Sequence, residues 1–265
     1  MRIAVIAPSC PLNREAAEAV AAIAAARGDC ELLIHSQCFS SDGHFAGPDE
    51  ERLAALRQVM ADDSVDAIWF ARGGYGSNRI AEAAAAHLPA GARDKLFMGY
   101  SDGGFLLAAL HRAGCRVAHG PMPMDIMRDG GEAAIARALD WLVGGEATAL
   151  EPDLAGPTMA FNLTVLSSLL GTALEPDFTG RELLIEELDE EHYRIDRFMF
   201  HLTSQPAVRR ASSLRLGRCR VPENDRPFGS DEEGIVRDWC RRSGIPYRGR
   251  ADIGHDAANK VVPFS

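Results

Sequence analysis

At 265 residues, with 46% hydrophobic and 25% charged side chains, the chain has the composition of a globular protein with room for one large core or two modest ones. A formal net charge of -10 argues against a general affinity for nucleic acid or anionic membrane, though not against a small polar substrate. The opening apolar stretch is too short for a signal peptide and no run reaches membrane-spanning length, so a cytoplasmic protein without a membrane partner is expected. The six cysteines lack a CxxC pair, which indicates neither a zinc site nor a disulfide framework.

In chain order, Ile3 to Ala7 reads as a buried strand followed by the exit loop Pro8-Ser9. Alanine-rich Glu15 to Arg27 predicts a helix stopped by Gly28, and Cys30 to His35 a second strand. Asp49 to Asp62 carries Leu53, Leu56 and Met60 at helical spacing; Ala67 to Phe70 is a third strand and Ile80 to Leu88 a helix. Lys95 to Met98 is apolar, Phe105 to Leu110 helical, and Arg116 to Ala118 a further strand. Such alternation implies a parallel sheet covered on both faces, with ligands gathered at the carboxyl ends of its strands. The loop Arg72-Gly73-Gly74-Tyr75-Gly76 and Ser101 should both lie on that edge. Between Gly144 and Met159 the character changes, giving an N-terminal domain over 1–145, a linker over 146–159 and a smaller domain over 160–265. In the latter, Leu163 to Leu170 is apolar, Leu183 to Ile185 is a strand and Arg194 to Leu202 a helix; short strands and turns such as Pro222-Glu223-Asn224-Asp225 follow, with less regular alternation.

Gly99-Tyr100-Ser101-Asp102-Gly103 is the stretch with most chemistry in it. A serine flanked by glycines between a strand and a helix fits a nucleophile elbow, although on these residues alone a turn whose serine caps the helix is the more ordinary reading. A serine nucleophile needs a base and a carboxylate to orient that base. Six of the eight histidines sit where surface or packing roles explain them; His119, at a strand end, and His255, in the loop Gly254 to Asn259, are left about even. Among the carboxylates, Glu186 and Glu187 directly follow a strand, and the acidic run they begin reads as readily as a solvated face.

Taken together, these segments resemble the LD-carboxypeptidase family of serine peptidases, which also contains the microcin-immunity hydrolases. Arg72 to Gly76 is similar to its glycine-rich loop, Gly99 to Asp102 to its nucleophile segment and His119-Gly120-Pro121-Met122 to the strand end that follows. Asn162-Leu163-Thr164 through Leu170-Gly171-Thr172, Leu184-Ile185-Glu186-Glu187 through Arg197, and Gly254-His255 with Asn259 and Pro263 continue the likeness in order over nearly the whole chain. The resemblance implies Ser101 as nucleophile, His255 as general base and Glu186, rather than Glu187, as the orienting carboxylate, by counting back from Tyr193-Arg194-Ile195-Asp196. It implies backbone amides of Asp102 and of a glycine in the Gly73-Gly74 pair, taken as Gly74, for the oxyanion. The implied fold is an α/β chain: an N-terminal parallel-sheet domain of Rossmann or flavodoxin-like kind, plus a smaller β-rich α/β C-terminal domain. The implied reaction, without metal or cofactor, removes the terminal D-alanine from murein tetrapeptides during peptidoglycan recycling, in a homodimeric enzyme. Hydrolysis of aminoacyl-nucleotide-like antibiotics is the alternative within the family, and a non-catalytic ligand-binding module the alternative outside it. Arg72 and Arg194 are possible partners for a substrate carboxylate; neither is assigned. Two departures stand out: Ala160-Phe161 replaces the family's usual glycines before Asn162, and the chain ends at Pro263-Phe264-Ser265, sooner after the histidine than in typical members.

Overall fold

A computed structural model describes residues 1–265. Strands β1 (Arg2–Ile6), β2 (Glu31–Ile34), β3 (Ala67–Phe70), β4 (Leu96–Gly99) and β5 (Arg116–His119) alternate with helices α1 (Arg14–Arg27), α2 (Asp49–Ala61), α3 (Ser77–Ala86) and α4 (Gly104–Arg112). A helix α5 (Gly131–Gly144), not anticipated from sequence, closes this half. The five strands are parallel in the order β5-β4-β3-β1-β2, which is the flavodoxin-like order with its switch point between β1 and β3. Successive strand residues face opposite ways. Ile3, Val5 and Trp69 therefore pack with Val20 of α1 and Leu139 of α5, while Ile6, Ile68 and Phe70 pack with Leu56 of α2, Ile80 of α3 and Leu107 of α4.

The second half is as regular as the first. Strands β6 (Thr158–Asn162), β7 (Glu182–Leu188), β8 (Ser213–Arg220) and β9 (Tyr247–Arg250) alternate with α6 (Leu163–Leu169), α7 (His192–Ser204) and α8 (Glu232–Ser243). They form an all-parallel sheet in sequential order. The expectation of weaker alternation there is thus corrected, because α8 and β8 hide their apolar positions among arginines. Arg215 in β8 is itself buried, donating to Glu151 Oε1 at 2.7 Å and to the carbonyl of Arg250.

The chain then crosses back. Short β10 (Val262–Pro263) pairs antiparallel with β5 on the edge of the first sheet, a position where proline's missing N–H is harmless. Phe264 meets Phe161 edge-on with centroids 5.1 Å apart, and Ser265 N donates to Thr158 O at 3.1 Å. Phe161 is fully buried in this seam, and the ideal Cβ of Gly104 would lie 3.3 Å from its ring. Phe161, where the resemblance led to the expectation of a glycine, therefore packs between the two sheets. No helix is long and apolar enough to cross a membrane.

Candidate active site

Ser101 stands in a short 3₁₀ turn, Ser101–Gly103, between β4 and α4, and its φ of 56° lies in the left-handed region. A serine is held there only when surrounding structure compels it, as at a nucleophile elbow. The flanking glycines serve packing: a Cβ on Gly99 would come within 2.6 Å of the Phe70 ring, and one on Gly103 within 3.1 Å. Both let the turn fold flat over Phe70.

Asp102 fastens the turn from beneath. Its buried carboxylate accepts from Ser9 Oγ at 2.5 Å and from Ser77 N at 2.9 Å, and its carbonyl accepts from Ser77 Oγ at 2.5 Å. Ser77 opens α3 directly after the glycine loop, so one residue ties the exits of β1, β3 and β4 together. The glycine loop lies close over the serine. A Cβ on Gly73 would stand 2.9 Å from Ser101 Oγ and 3.5 Å from Asp102 N, whereas one on Gly74 would strike Cys10 Sγ at 2.3 Å. Gly73 is the glycine pressed against the hydroxyl; Gly74, the one named from sequence, lines the same cavity.

His255 arrives from the loop between β9 and β10. Its Nε2 lies 2.9 Å from Ser101 Oγ and its Nδ1 2.6 Å from Glu186 Oε2. Glu186 is fully buried, and Oε1 finds no protein partner, so the imidazole is this carboxylate's one hydrogen-bond partner. Burial alone would push His255 toward neutrality, but the adjacent Glu186 charge and hydrogen bond outweigh it and raise the imidazole pKa above its ordinary 6.5.

The neighbouring Glu187 faces the other side of β7. It accepts from Asn162 Nδ2, from Thr164 N and Oγ1 and from Leu188 N, each at 2.8 Å, and so closes off the N-terminus of α6. Residues 186 and 187 thus separate cleanly: one meets the imidazole and the other caps a helix.

His119, which sequence left level with His255, does not touch Ser101. It is buried, its pKa is lowered by desolvation, and its Nε2 donates to Asn259 Oδ1 at 3.0 Å. The same Oδ1 accepts from Gly254 N at 3.1 Å, so His119 steadies the loop that delivers His255. Arg218 holds that loop from outside through a two-pronged contact with Asp256, at 2.5 and 2.8 Å. Tyr100 packs its ring against both imidazoles, with centroids 4.9 Å from His255 and 5.4 Å from His119.

A cavity of about 440 Å³ opens beside Ser101, walled by Met122, Met124, Met127 and Leu188 and flanked by Arg72 and Arg128. Arg194 is absent from it; that guanidinium pairs with Glu190 on the surface. Asp125 and Arg128 had no place in the sequence reading, which offered no element between Met122 and Gly144. The only signal was an Asp-x-x-Arg spacing, too common to select. No three His, Cys, Asp or Glu side chains converge in a way that could hold a metal ion, and all six cysteines are free.

Comparison with known proteins identifies the family. The family described as LD-carboxypeptidase N-terminal domain matches residues 3–120, and that described as LD-carboxypeptidase C-terminal domain matches residues 155–265. A Bacillus subtilis protein named "Probable murein peptide carboxypeptidase" is 32% identical over 84% of this chain and 74% of its own length. In fold, the chain is similar to muramoyltetrapeptide carboxypeptidase from Oxalobacter formigenes, with a TM-score of 0.80 at 22% identity, covering 100% of this chain and 93% of that one. It is equally similar to MccF in complex with glutamyl sulfamoyl guanosine, with a TM-score of 0.81 at 16% identity, covering 100% and 91%. The chain belongs to the LD-carboxypeptidase family and is an enzyme, a serine hydrolase of carboxypeptidase type.

Proposed function

We propose that this enzyme removes the terminal D-alanine from murein tetrapeptides by acyl transfer through Ser101, His255 and Glu186. The observation that carries the reading is the unbroken hydrogen-bonded chain from Ser101 Oγ to His255 Nε2, at 2.9 Å, and from His255 Nδ1 to Glu186 Oε2, at 2.6 Å, ending on a strained serine. Neutral His255 takes the Ser101 proton as Oγ attacks the carbonyl carbon of the scissile L,D bond. Glu186 keeps Nδ1 protonated and stabilises the imidazolium that results. The developing oxyanion lies against the backbone amides of Asp102 and the Gly73-Gly74 pair, where the lack of side chains allows close approach. Collapse returns the proton from His255 to the leaving amine and frees D-alanine; water activated by the same imidazole then releases the shortened peptide and restores Ser101. A place in peptidoglycan recycling, a cytoplasmic location and a homodimer go with this reading.

Mass spectrometry of a muropeptide panel tests it, with Ser101→Ala as control. Loss of one alanine mass from tetrapeptides, but not from pentapeptides and not with the control, is the expected outcome. Intact tetrapeptides together with cleavage of aminoacyl sulfamoyl nucleotides would transfer the protein to the alternative activity. Indifference of every substrate would leave a ligand-binding module.

A further inference from the structure

Resting on that reading, we propose that Arg72 and Arg128 form the seat for the free carboxylate of the residue that leaves. The cavity beside Ser101 presents two guanidinium groups and a largely apolar wall of methionines. Of the two, Arg128 is the more firmly aimed. Its Nε donates to Asp125 Oδ1 at 2.8 Å, and it pairs with no other carboxylate, which leaves its terminal nitrogens available. Asp125 is itself immobilised: it is buried, it accepts from Tyr100 Oη and Met122 N, both at 2.8 Å, and Tyr100 packs against His255. The element that orients the base therefore also orients the cation. Arg72 lines the same cavity from the exit of β3. It pairs with no carboxylate, and its one recorded hydrogen bond, from Nη1 to Pro11 O, is a long 3.4 Å.

A guanidinium presents a planar fork of donors matched to a carboxylate. Two forks converging on a cavity whose only carboxylate is already taken up by Arg128 and Tyr100 select an anionic group. The distinction is between a terminal carboxylate and a neutral continuation of the chain. Restriction to the last residue of a peptide follows from that, because an internal peptide bond offers neither charge nor end. Asp125 and Tyr100 act through Arg128 and are positioning residues.

The test separates the seat from the substrate. In the Ser101→Ala background, calorimetric titration compares N-acetyl-D-alanine with N-acetyl-D-alanine amide, which needs no turnover. Parallel turnover assays compare a murein tetrapeptide with its C-terminal amide. The acid is expected to be preferred on the order of 10–100-fold in both, the range of one or two charge-assisted hydrogen bonds. Arg128→Gln and Arg72→Gln should each bring that preference toward one, and Arg128→Lys should restore part of it. Arg72→Gln leaves the Asp125 ion pair intact, so it remains informative if Arg128→Gln melts. An acid preference that survives both glutamine variants, or is missing from the unsubstituted protein, overturns the seat even if tetrapeptides are trimmed. An arginine-dependent preference for N-acetyl-D-alanine in a protein that leaves tetrapeptides intact keeps the seat and removes the tetrapeptide reading.

Discussion

The pairing of His255 with Glu186 has a consequence in the pH profile. Burial lowers the imidazole's pKa and the Arg128 charge lowers it a little further, while the Glu186 charge, the Glu186 hydrogen bond and, more weakly, the Asp125 charge raise it to above the ordinary 6.5. A base must be neutral to accept a proton, so activity should fall as pH drops through that raised value, placing the acid limb above about 6.5. Glu186→Gln removes the largest raising influence, the Glu186 charge, and leaves burial in place. The variant should lose on the order of 10⁴-fold in kcat, as for the corresponding change in a well-studied triad, and its residual acid limb should move to lower pH. A residual profile displaced to higher pH would contradict the assignment. Glu187→Gln differs in kind. Each Glu187 oxygen accepts from two of the four donors, so an amide there must turn its own NH₂ toward a pair of them, which should cost about 1–3 kcal/mol of stability with little effect on kcat per folded molecule. Gly73→Ala completes the residue scale. Its backbone does not require a positive φ, so the fold should persist, yet the methyl would stand 2.9 Å from Ser101 Oγ. A kcat loss of roughly 10²-fold with little change in the melting curve is expected, the scale of displacing the nucleophile by about 1 Å.

At the scale of elements, Gly217 shows how a strand irregularity serves the site. The register between β7 and β8 shifts between Ile185 and Glu187, so Glu186 sits at the irregularity. A Cβ on Gly217 would lie 2.6 Å from Ile253 O and 2.9 Å from Glu186 Cβ, which leaves the carboxylate strand and the histidine loop in direct backbone contact there. Gly217→Ala should force Ile253 outward and His255 with it. Displacement of about 1 Å can cost 10²-fold, so turnover should fall by that order while overpacking costs roughly 1–3 kcal/mol. Binding of N-acetyl-D-alanine, which needs only the Arg72–Arg128 side, gives the control. Nothing in the sequence announced Gly217, since one glycine in an arginine-rich segment has no distinctive pattern. Strands β1 to β5 were legible because their apolar runs are short and unbroken, and Ala67 to Phe70 was placed at the observed bounds; of the helices in that half, α5 went unread. Helix α8 was not, although Asp231 caps it and Gly244 ends it, because its first turn is acidic, its last turn basic and only Ile235, Val236 and Cys240 are buried. The glycines around Ser101 fitted a helix-capping turn as well, and likeness to a family singled the serine out. The choice of His255 over His119 and of Glu186 over Glu187 rested on likeness to a family, for each pair differs in what it faces, and facing is set by the tertiary fold.

Across the whole molecule, the three residues of the hydrogen-bonded chain come from both sheets. Ser101 follows β4 of the first; Glu186 lies in β7 of the second, and His255 on the segment returning from the second to the first. Their spacing depends on how the sheets are joined. One continuous apolar cluster runs from Ile6 and Phe70 through Phe105 to Phe161, Leu184 and Leu216, and β10 adds a covalent return to the first sheet. A shared core of this kind predicts one cooperative thermal transition, with calorimetric and van't Hoff enthalpies in agreement. Phe161→Ala empties the centre of the seam, where the ring meets Phe264 and the start of α4. The expected cost is about 3–5 kcal/mol, or a melting temperature lower by roughly 10 °C. Because Phe161 does not line the cavity beside Ser101, any activity lost well below the new midpoint would reflect a shift of one sheet against the other. Differential scanning calorimetry decides the matter: two resolved transitions in the unsubstituted protein, or a Phe161→Ala protein that melts like its parent, would mean that the halves fold separately and that the seam does not hold Ser101 to His255.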